Sequence, residues 1–259
     1  MKPNKLFVQC SVLLFLIACN TFEVAPTPSP LPPPPTRVVS ISQKLYLTIH
    51  SHIETYQDPL FTINSQIPQL AGSDDPHIQA LNQIIDNHVQ REIELFRDEF
   101  LLYSAKPLPS GSSMDATHIL TAQYEDIWSF KLNFLYYYDN PKIPVLHSTP
   151  VNYDLAQGVE LELSDLFLPN SNYLELMSSY CVAELNKRDT TDVSIYGATY
   201  PILYNYENWN ITPEGLMITF NQTEVASSEA GPQYVIVPYG ELNTVIDPQG
   251  PLQYFKPAN

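Results

Sequence analysis

The residues of this sequence that could bind a metal ion lie in one short segment. His50, His52 and Glu54 alternate along the chain and would share one face of a strand, and imidazole and carboxylate groups are zinc ligands. Three ligands so close on one strand rarely complete a tetrahedral site without help from elsewhere. The pattern therefore favours solvated strand residues, and we expect no metal site and no cofactor.

A second set consists of carboxylates that could act as the acid and base of a glycoside hydrolase. Glu160 and Glu162 alternate with apolar residues, and Asp165 follows them. Because alternation places both glutamates on the polar face of a strand, the spacing does not provide two carboxyl groups flanking one bond. The sequence also contains no Gly-rich phosphate loop, no His-Glu-x-x-His and no Gly-x-Ser-x-Gly, so it assigns no catalytic residue.

His147 precedes a stretch, Val151–Phe167, that is typical of a hairpin with a turn marked by Asn152, Asp154 and Gly158. Two interpretations stay open. The imidazole is either a structural group that hydrogen-bonds the hairpin loop or a general base. Spacing assigns it neither a serine elbow nor a carboxylate partner, which favours the structural role.

The N-terminus resembles a bacterial lipoprotein signal peptide. Lys2 and Lys5 precede an apolar segment that ends in Leu-Ile-Ala-Cys, with Cys19 as its last residue. We expect cleavage of residues 1–18 and lipidation of Cys19, whose acyl chains would anchor the protein to the extracytoplasmic face of a membrane. The alternative is an ordinary secreted protein with a chance cysteine. Cys181 would then be unpaired, and we expect a buried, inert thiol.

Residues 19–36 are rich in proline and predict a semi-rigid tether, in which the run Pro26–Pro35 alone would span about 30 Å at roughly 3.1 Å per residue. Residues 37–259 are expected to form a single domain. The chain has 12 basic and 28 acidic residues, a formal charge of -16, and loss of the two N-terminal lysines would make it -18. Nucleic acid is therefore a poor partner, whereas cationic proteins would be attracted, although acidity also serves solubility alone.

Hydrophobic periodicity predicts an α+β fold: an antiparallel β-sheet meander with one long and one shorter helix. Residues 38–67 are extended, and Asp74-Asp75-Pro76 begins a long helix whose apolar stripe runs from Ile78 to Phe100. The predicted meander and the later elements follow in chain order: strands 117–124, 127–138, 145–153 and 159–163, a helix 173–186 with Asn172 and Glu175 as a capping box, a hairpin 209–220, a strand 234–237 and a short helix 238–242.

Five aromatic residues follow the second predicted helix: Tyr196, Tyr200, Tyr204, Tyr206 and Trp209. They could stack on sugars or on a partner protein, because aromatic anchors are common on recognition surfaces. They could equally pack a long loop onto the sheet. Of these we take Tyr196, Tyr200, Tyr204 and Trp209, together with His147, as candidate ligand-binding residues.

An ordered series of short segments resembles the RsiV-type ectodomain, the extracytoplasmic domain of the anti-sigma-V factor, which also occurs beside polysaccharide deacetylase domains such as that of PdaC. The matching segments are Ile67–Leu70, Ile78–Asn82, His147, Asn152–Leu155, Gly158, Leu163–Phe167, Tyr173-Leu174, Gly215–Phe220, Val225–Pro232 and Val237–Leu242. In the anti-sigma-V factor this domain serves as a receptor for lysozyme. The resemblance therefore implies a binding module without established catalytic residues.

These observations together predict a surface-anchored, non-catalytic binding or sensor lipoprotein of the cell envelope. Its partners would be the membrane, through the lipid anchor, and a basic protein such as lysozyme or a cell-wall component such as peptidoglycan. The alternatives are an accessory to a glycan hydrolase or deacetylase, and a structural envelope protein.

Overall fold

The computed structural model describes residues 45–57, 60–102, 111–138, 144–189 and 195–255, with the side chains of 100–102 excepted. All of them lie in one compact unit, Val39–Asn259. The predicted signal peptide, Cys19 and the proline-rich tether lie outside the described residues.

The first half of this unit is a six-stranded sheet with one long helix. The elements are β1 (Tyr46–Gln57), β2 (Leu60–Ala71), α1 (Pro76–Leu102), β3 (Ser112–Tyr124), β4 (Ile127–Tyr137), β5 (Val145–Asp154) and β6 (Val159–Glu160). The strands lie in sequence order across the sheet. The meander from β3 to β6 is antiparallel, as short connections require, which confirms that prediction.

One pair in this sheet departs from the predicted antiparallel plan. β2 and β3 are parallel, with Phe61–Ser65 beside Ser112–Ala116. Parallel neighbours need a crossover connection, and α1 lies in that connection. Pro68 lies on β2 beyond this pairing and opposite Ile49 of β1, so its missing N–H costs no ladder bond on the β3 side.

The long helix begins where the sequence predicts. The Asp75 carboxylate accepts the His77 N–H at 2.9 Å, and Pro76 takes the first helical position. The apolar stripe from Ile78 to Phe96 is buried against one face of the six-stranded sheet. We call this cluster the α1 core.

The second half packs a smaller sheet against the other helices. Its elements are a 3-10 helix (Leu163–Leu166), α2 (Tyr173–Leu185), α3 (Ile195–Ala198), a 3-10 helix (Leu203–Tyr206), β7 (Trp209–Ile211), β8 (Gly215–Phe220), β9 (Gln233–Pro238) and α4 (Tyr239–Leu242). The three strands are antiparallel in the order β7-β8-β9. Their apolar side chains and the inner face of α2 form a second cluster, which we call the α2 core.

Two local predictions are wrong. The strand expected at 159–163 ends at Glu160, because the Glu162 N–H is donated to the Asp165 carboxylate at 2.8 Å and starts the 3-10 helix instead. The capping box expected at α2 is absent, since the Asn172 side chain makes no capping hydrogen bond. The Asn172 carbonyl accepts the Leu176 N–H, which is the ordinary first hydrogen bond of the helix.

A buried polar cluster joins the two sheets. Ser129 Oγ on β4 donates to Asn152 Oδ1 at 2.6 Å and accepts from Asn210 Nδ2 and from the Ile211 N–H, both at 3.1 Å. Asn152 Nδ2 in turn donates to the Trp209 carbonyl at 2.8 Å. Asn152 thus lies within β5 and bridges to β7, and is not a turn residue as its side-chain type suggested.

Cys181 lies on the inner face of α2 and is fully buried, and burial raises the pKa of its thiol to about 12. This confirms the predicted burial of the thiol. In the part of the chain that the structure describes, no helix is long and apolar enough to cross a membrane.

Candidate ligand-binding site

A cavity of about 690 Å³ opens beside the β5 edge. The opposite wall is formed by α3 and by the residues that connect it to β7, and the turn after β8 closes one end. The side chains that give the cavity its chemical character are those of His147, Tyr204, Asn205, Glu207, Asn208 and Glu224. Its volume is in the range of small-molecule sites in proteins.

Along this wall, side chains form hydrogen bonds with the backbone N–H and C=O groups on the edge of β5. The Leu146 N–H donates to Gln222 Oε1 at 3.0 Å and the Ser148 N–H to Asn221 Oδ1 at 3.2 Å. Asn208 Nδ2 donates to the Ser148 carbonyl at 3.0 Å. Three amide side chains thus replace a neighbouring strand, because β6 pairs only with Tyr153 and Asp154. These hydrogen bonds tie the β5 wall of the cavity to the residues before β7 and after β8.

Three tyrosines on and after α3 are exposed, and one of them lines the cavity. Tyr196, Tyr200 and Tyr204 are 63%, 62% and 76% exposed, and Tyr204 also lines the cavity. We call these three residues the tyrosine platform. Aromatic side chains exposed within one short segment are common on recognition surfaces.

The tyrosine platform is held in place by a compact set of hydrogen bonds. Buried Tyr206 donates its hydroxyl to the Thr199 carbonyl at 2.7 Å, and Thr199 Oγ1 donates to the Ile195 carbonyl at 2.6 Å. Asn205 Nδ2 donates to the carbonyls of Gly197 and Tyr200, each at 2.9 Å. The exposed rings are therefore carried by backbone that is already ordered before any ligand binds.

Comparison with known proteins gives a family match for part of the chain. Residues 164–240 match the family described as "Protein of unknown function (DUF3298)". The DUF3298 match runs from the 3-10 helix after β6 to the start of α4, and it includes the tyrosine platform. No curated protein matches the chain.

Two solved structures of DUF3298 family proteins share the fold. One, from Bacteroides fragilis NCTC 9343, has 13% identity and a TM-score of 0.57 over 80% of this chain and 94% of its own. The other, from Pseudomonas aeruginosa PAO1, has 13% identity and a TM-score of 0.52 over 84% of this chain and 98% of its own. At this identity the likeness concerns the fold alone.

Two of the candidate residues from the sequence take different positions relative to the cavity. His147 lines the cavity, with its ring 6.3 Å from that of Phe134 and Nε2 3.4 Å from Thr149 Oγ1. Trp209 is only 4% exposed and lies in the α2 core. Its indole is therefore not available for stacking on a ligand, unlike the three tyrosines.

The histidine that fixes the hairpin is His77, which the sequence did not indicate. His77 Nδ1 lies 2.8 Å from the Leu155 carbonyl, so the protonated nitrogen donates to the hairpin loop. Its ring also fills the space beside Gly158, where a Cβ would be 2.4 Å from the ring carbon Cδ2. The structural role predicted for His147 thus belongs to a residue in the first turn of α1.

The residues that were considered as metal ligands and expected to be solvated lie on β1, where two of them contact other side chains. Arg97 of α1 donates to both carboxylate oxygens of Glu54, from Nε at 3.1 Å and from Nη2 at 2.7 Å, and this hydrogen bonding lowers the pKa of Glu54. His52 Nε2 lies 3.3 Å from Glu54 Oε2, and His50 is exposed. Over the described ranges, no three His, Cys, Asp or Glu side chains are grouped as a metal site.

The carboxylates considered for glycoside hydrolysis are not brought together with the cavity. Glu160 and Glu162 are exposed on and after β6, and Asp165 accepts the Glu162 N–H. The two glutamates that line the cavity, Glu207 and Glu224, were missed. No spacing rule could have found them, because they come from two turns that only the folded second sheet brings together.

Proposed function

We propose that this chain is a lipid-anchored extracytoplasmic binding protein, and that the tyrosine platform with the adjoining cavity forms its ligand surface. The observation that carries the proposal is three exposed tyrosines on hydrogen-bonded backbone. Tyrosine gives a large contact area with few rotatable bonds, so little conformational entropy is lost on binding. Binding energy in protein interfaces is concentrated in such aromatic anchors.

The ligand is proposed to be a basic protein such as lysozyme or a wall component such as peptidoglycan. Support comes from the resemblance of the sequence to RsiV-type ectodomains and from the chain's formal charge of -16. A field of this sign accelerates the approach of cationic ligands and is screened by salt. No catalytic step is part of the proposal.

The binding test uses the full chain and two probes, lysozyme and purified peptidoglycan. We expect at least one probe to bind, and the triple variant Tyr196→Ser/Tyr200→Ser/Tyr204→Ser to bind it about tenfold or more weakly, which is a loss of about 1.4 kcal/mol. Tyr46→Ser is the matched control, because Tyr46 is 56% exposed on β1 and does not line the cavity. Equal binding by the triple variant and the wild type would refute the assigned surface.

The anchor is tested separately by Cys19→Ala. We expect the wild-type protein in the membrane fraction and the variant in the soluble fraction, since removal of the thiol removes the site of acylation. Retention of the variant in the membrane fraction would refute lipid anchoring and leave the binding surface to be judged by its own test.

A further inference from the structure

β1 is an edge of the six-stranded sheet, and among the described residues no strand pairs with its outer side. It runs for 12 residues, Tyr46–Gln57, and pairs with β2 along its whole length without a break in register. Its central residues, from Ile49 to Ile53, are all exposed. An edge strand of this length presents a row of backbone N–H and C=O groups with which another strand can pair.

Three features that usually protect an edge strand from pairing are absent from β1. Such strands carry lysine, proline or a β-bulge, and Tyr46–Gln57 contains none of these. Apart from histidine its one titratable charge is Glu54, whose carboxylate is neutralised by Arg97. On the opposite side of the sheet, three amide side chains close the β5 edge. The described part of the sheet therefore has one closed edge and one open edge.

The residue types along β1 are arranged nearly symmetrically about Ser51. Equal types lie at equal distances from it on both sides: His50 and His52, Ile49 and Ile53, Tyr46 and Tyr56. When two copies of a strand pair antiparallel about a two-fold axis at Ser51, each residue lies opposite the one at the same distance on the other side. Like types therefore meet in this arrangement. Only two pairs are unlike, and neither brings like charges together: Leu47 with Thr55 and Thr48 with Glu54.

We propose that β1 pairs with β1 of a second copy of this chain, antiparallel and centred on Ser51, so that the two sheets become continuous. Residues Tyr46–Tyr56 of both copies then exchange about ten backbone hydrogen bonds, a number typical of a specific interface. Ile49 and Ile53, which are 44% and 74% exposed, cover each other across the two copies, and directly opposite apolar side chains stabilise a strand pair. The cavity opens at the other edge of the sheet, so this inference is independent of the proposed function.

The first test is sedimentation velocity of the full chain in the Cys10→Ser/Cys19→Ser background, at pH 8 and about 0.15 M salt, where exposed charges more than about 8 Å apart are largely screened. We expect a monomer–dimer equilibrium that is mainly dimer at about 50 µM. Ile53→Lys should weaken the dimer at least about tenfold, because it removes an apolar contact and places a lysine on each edge. Ile119→Lys is the matched control, since Ile119 is 53% exposed on β3 and lies outside the β1 pairing. It should change the dissociation constant of the dimer by less than about threefold.

A disulfide cross-link tests the position of the two-fold axis. In the same background, Ser51→Cys places the two cysteines directly opposite each other, with a Cα–Cα distance of about 4.5–5.5 Å that suits a disulfide. Thr55 is exposed on the same face of β1, but Thr55→Cys places the two cysteines about 27 Å apart, because about eight residues at about 3.4 Å each separate them along the strands. We expect mild oxidation to give a covalent dimer of Ser51→Cys and at least about fivefold less of it from Thr55→Cys. Cys181 is buried and does not compete.

Three results would overturn the inference. If the background protein stays monomeric at about 50 µM, the edge is left to an extended segment of another protein. If Ile53→Lys and Ile119→Lys weaken the dimer equally, the dimer forms through another surface of the chain. If Ser51→Cys and Thr55→Cys cross-link equally, the pairing is not centred on Ser51. Thermal melting of each variant checks that it is folded, and none of these results affects the binding test of the tyrosine platform.

Discussion

Replacing Gly158 by alanine should destabilise the protein by about 2–3 kcal/mol. Gly158 has a φ of +70°, and a Cβ there would lie 2.4 Å from Cδ2 and 2.6 Å from Nε2 of His77. The left-handed backbone costs alanine about 1–2 kcal/mol. Displacement of the imidazole costs about 1 kcal/mol more, because it breaks the hydrogen bond to the Leu155 carbonyl.

The assay is urea unfolding of Gly158→Ala, His77→Ala and the double variant. In the His77→Ala background the hydrogen bond is already lost and the space is open, so the added alanine should cost only the backbone part, about 1–2 kcal/mol. The two changes should therefore be non-additive by about 1 kcal/mol. For a unit of this size the single glycine variant should also lower Tm by about 5–10 °C.

Gly111→Ala is the control for the backbone part. Gly111 has a φ of +97°, and nothing lies within 4 Å of a Cβ built on it. Its substitution should cost free energy of unfolding without any coupling to His77. Full additivity of the changes at Gly158 and His77 would refute the close approach of ring and loop.

The remaining predictions concern the core and two titratable groups. Ser129→Ala should lower the free energy of unfolding by about 2–3 kcal/mol, because it removes three hydrogen bonds between buried groups at about 1 kcal/mol each; a loss of less than about 0.5 kcal/mol in urea unfolding would contradict this. Because the pKa of Glu54 is lowered, the ionised carboxylate stabilises the folded protein at pH values above its ordinary pKa of 4.5, and this stabilisation is lost as the pH falls through the lowered pKa. Glu54→Gln should therefore lower Tm at pH 7, and the difference in Tm between variant and wild type should be smaller at pH 3. An equal difference in Tm at both pH values would exclude this linkage. The Cys181 thiol, with its pKa raised to about 12, should react with a thiol reagent at pH 8 only after unfolding, measured in a Cys10→Ser/Cys19→Ser background, and immediate labelling of the native protein would show that it is accessible.

Local sequence patterns were sufficient to predict the elements whose residues show a regular period or a turn motif. The stripe of α1, the alternation along β4 and the Pro-Glu-Gly turn between β7 and β8 are all local, and each was located to within a few residues. The parallel contact of β2 with β3 was not predicted, because it depends on how α1 crosses the sheet and no local pattern records that.

The site was predicted only in part for the same reason. Exposed tyrosines are visible in a sequence as residues, but exposure itself depends on packing: Tyr204 is 76% exposed, whereas Tyr206 and Trp209 are buried. The amides that close the β5 edge, such as Asn221, are separated from it by about seventy residues and follow no motif. The sequence of the hairpin likewise did not indicate that His77 of α1 would hydrogen-bond its loop.

The two hydrophobic cores each contain one of the two tryptophans of the chain, Trp128 in the α1 core and Trp209 in the α2 core. Each indole is nearly inaccessible to water, with 2% and 4% exposure, so each should change its emission when its own core opens. Trp128→Phe and Trp209→Phe therefore give two single-tryptophan proteins, one reporter for each half. Coincident or separate transitions would tell whether the cluster at Ser129 makes the two halves one cooperative folding unit.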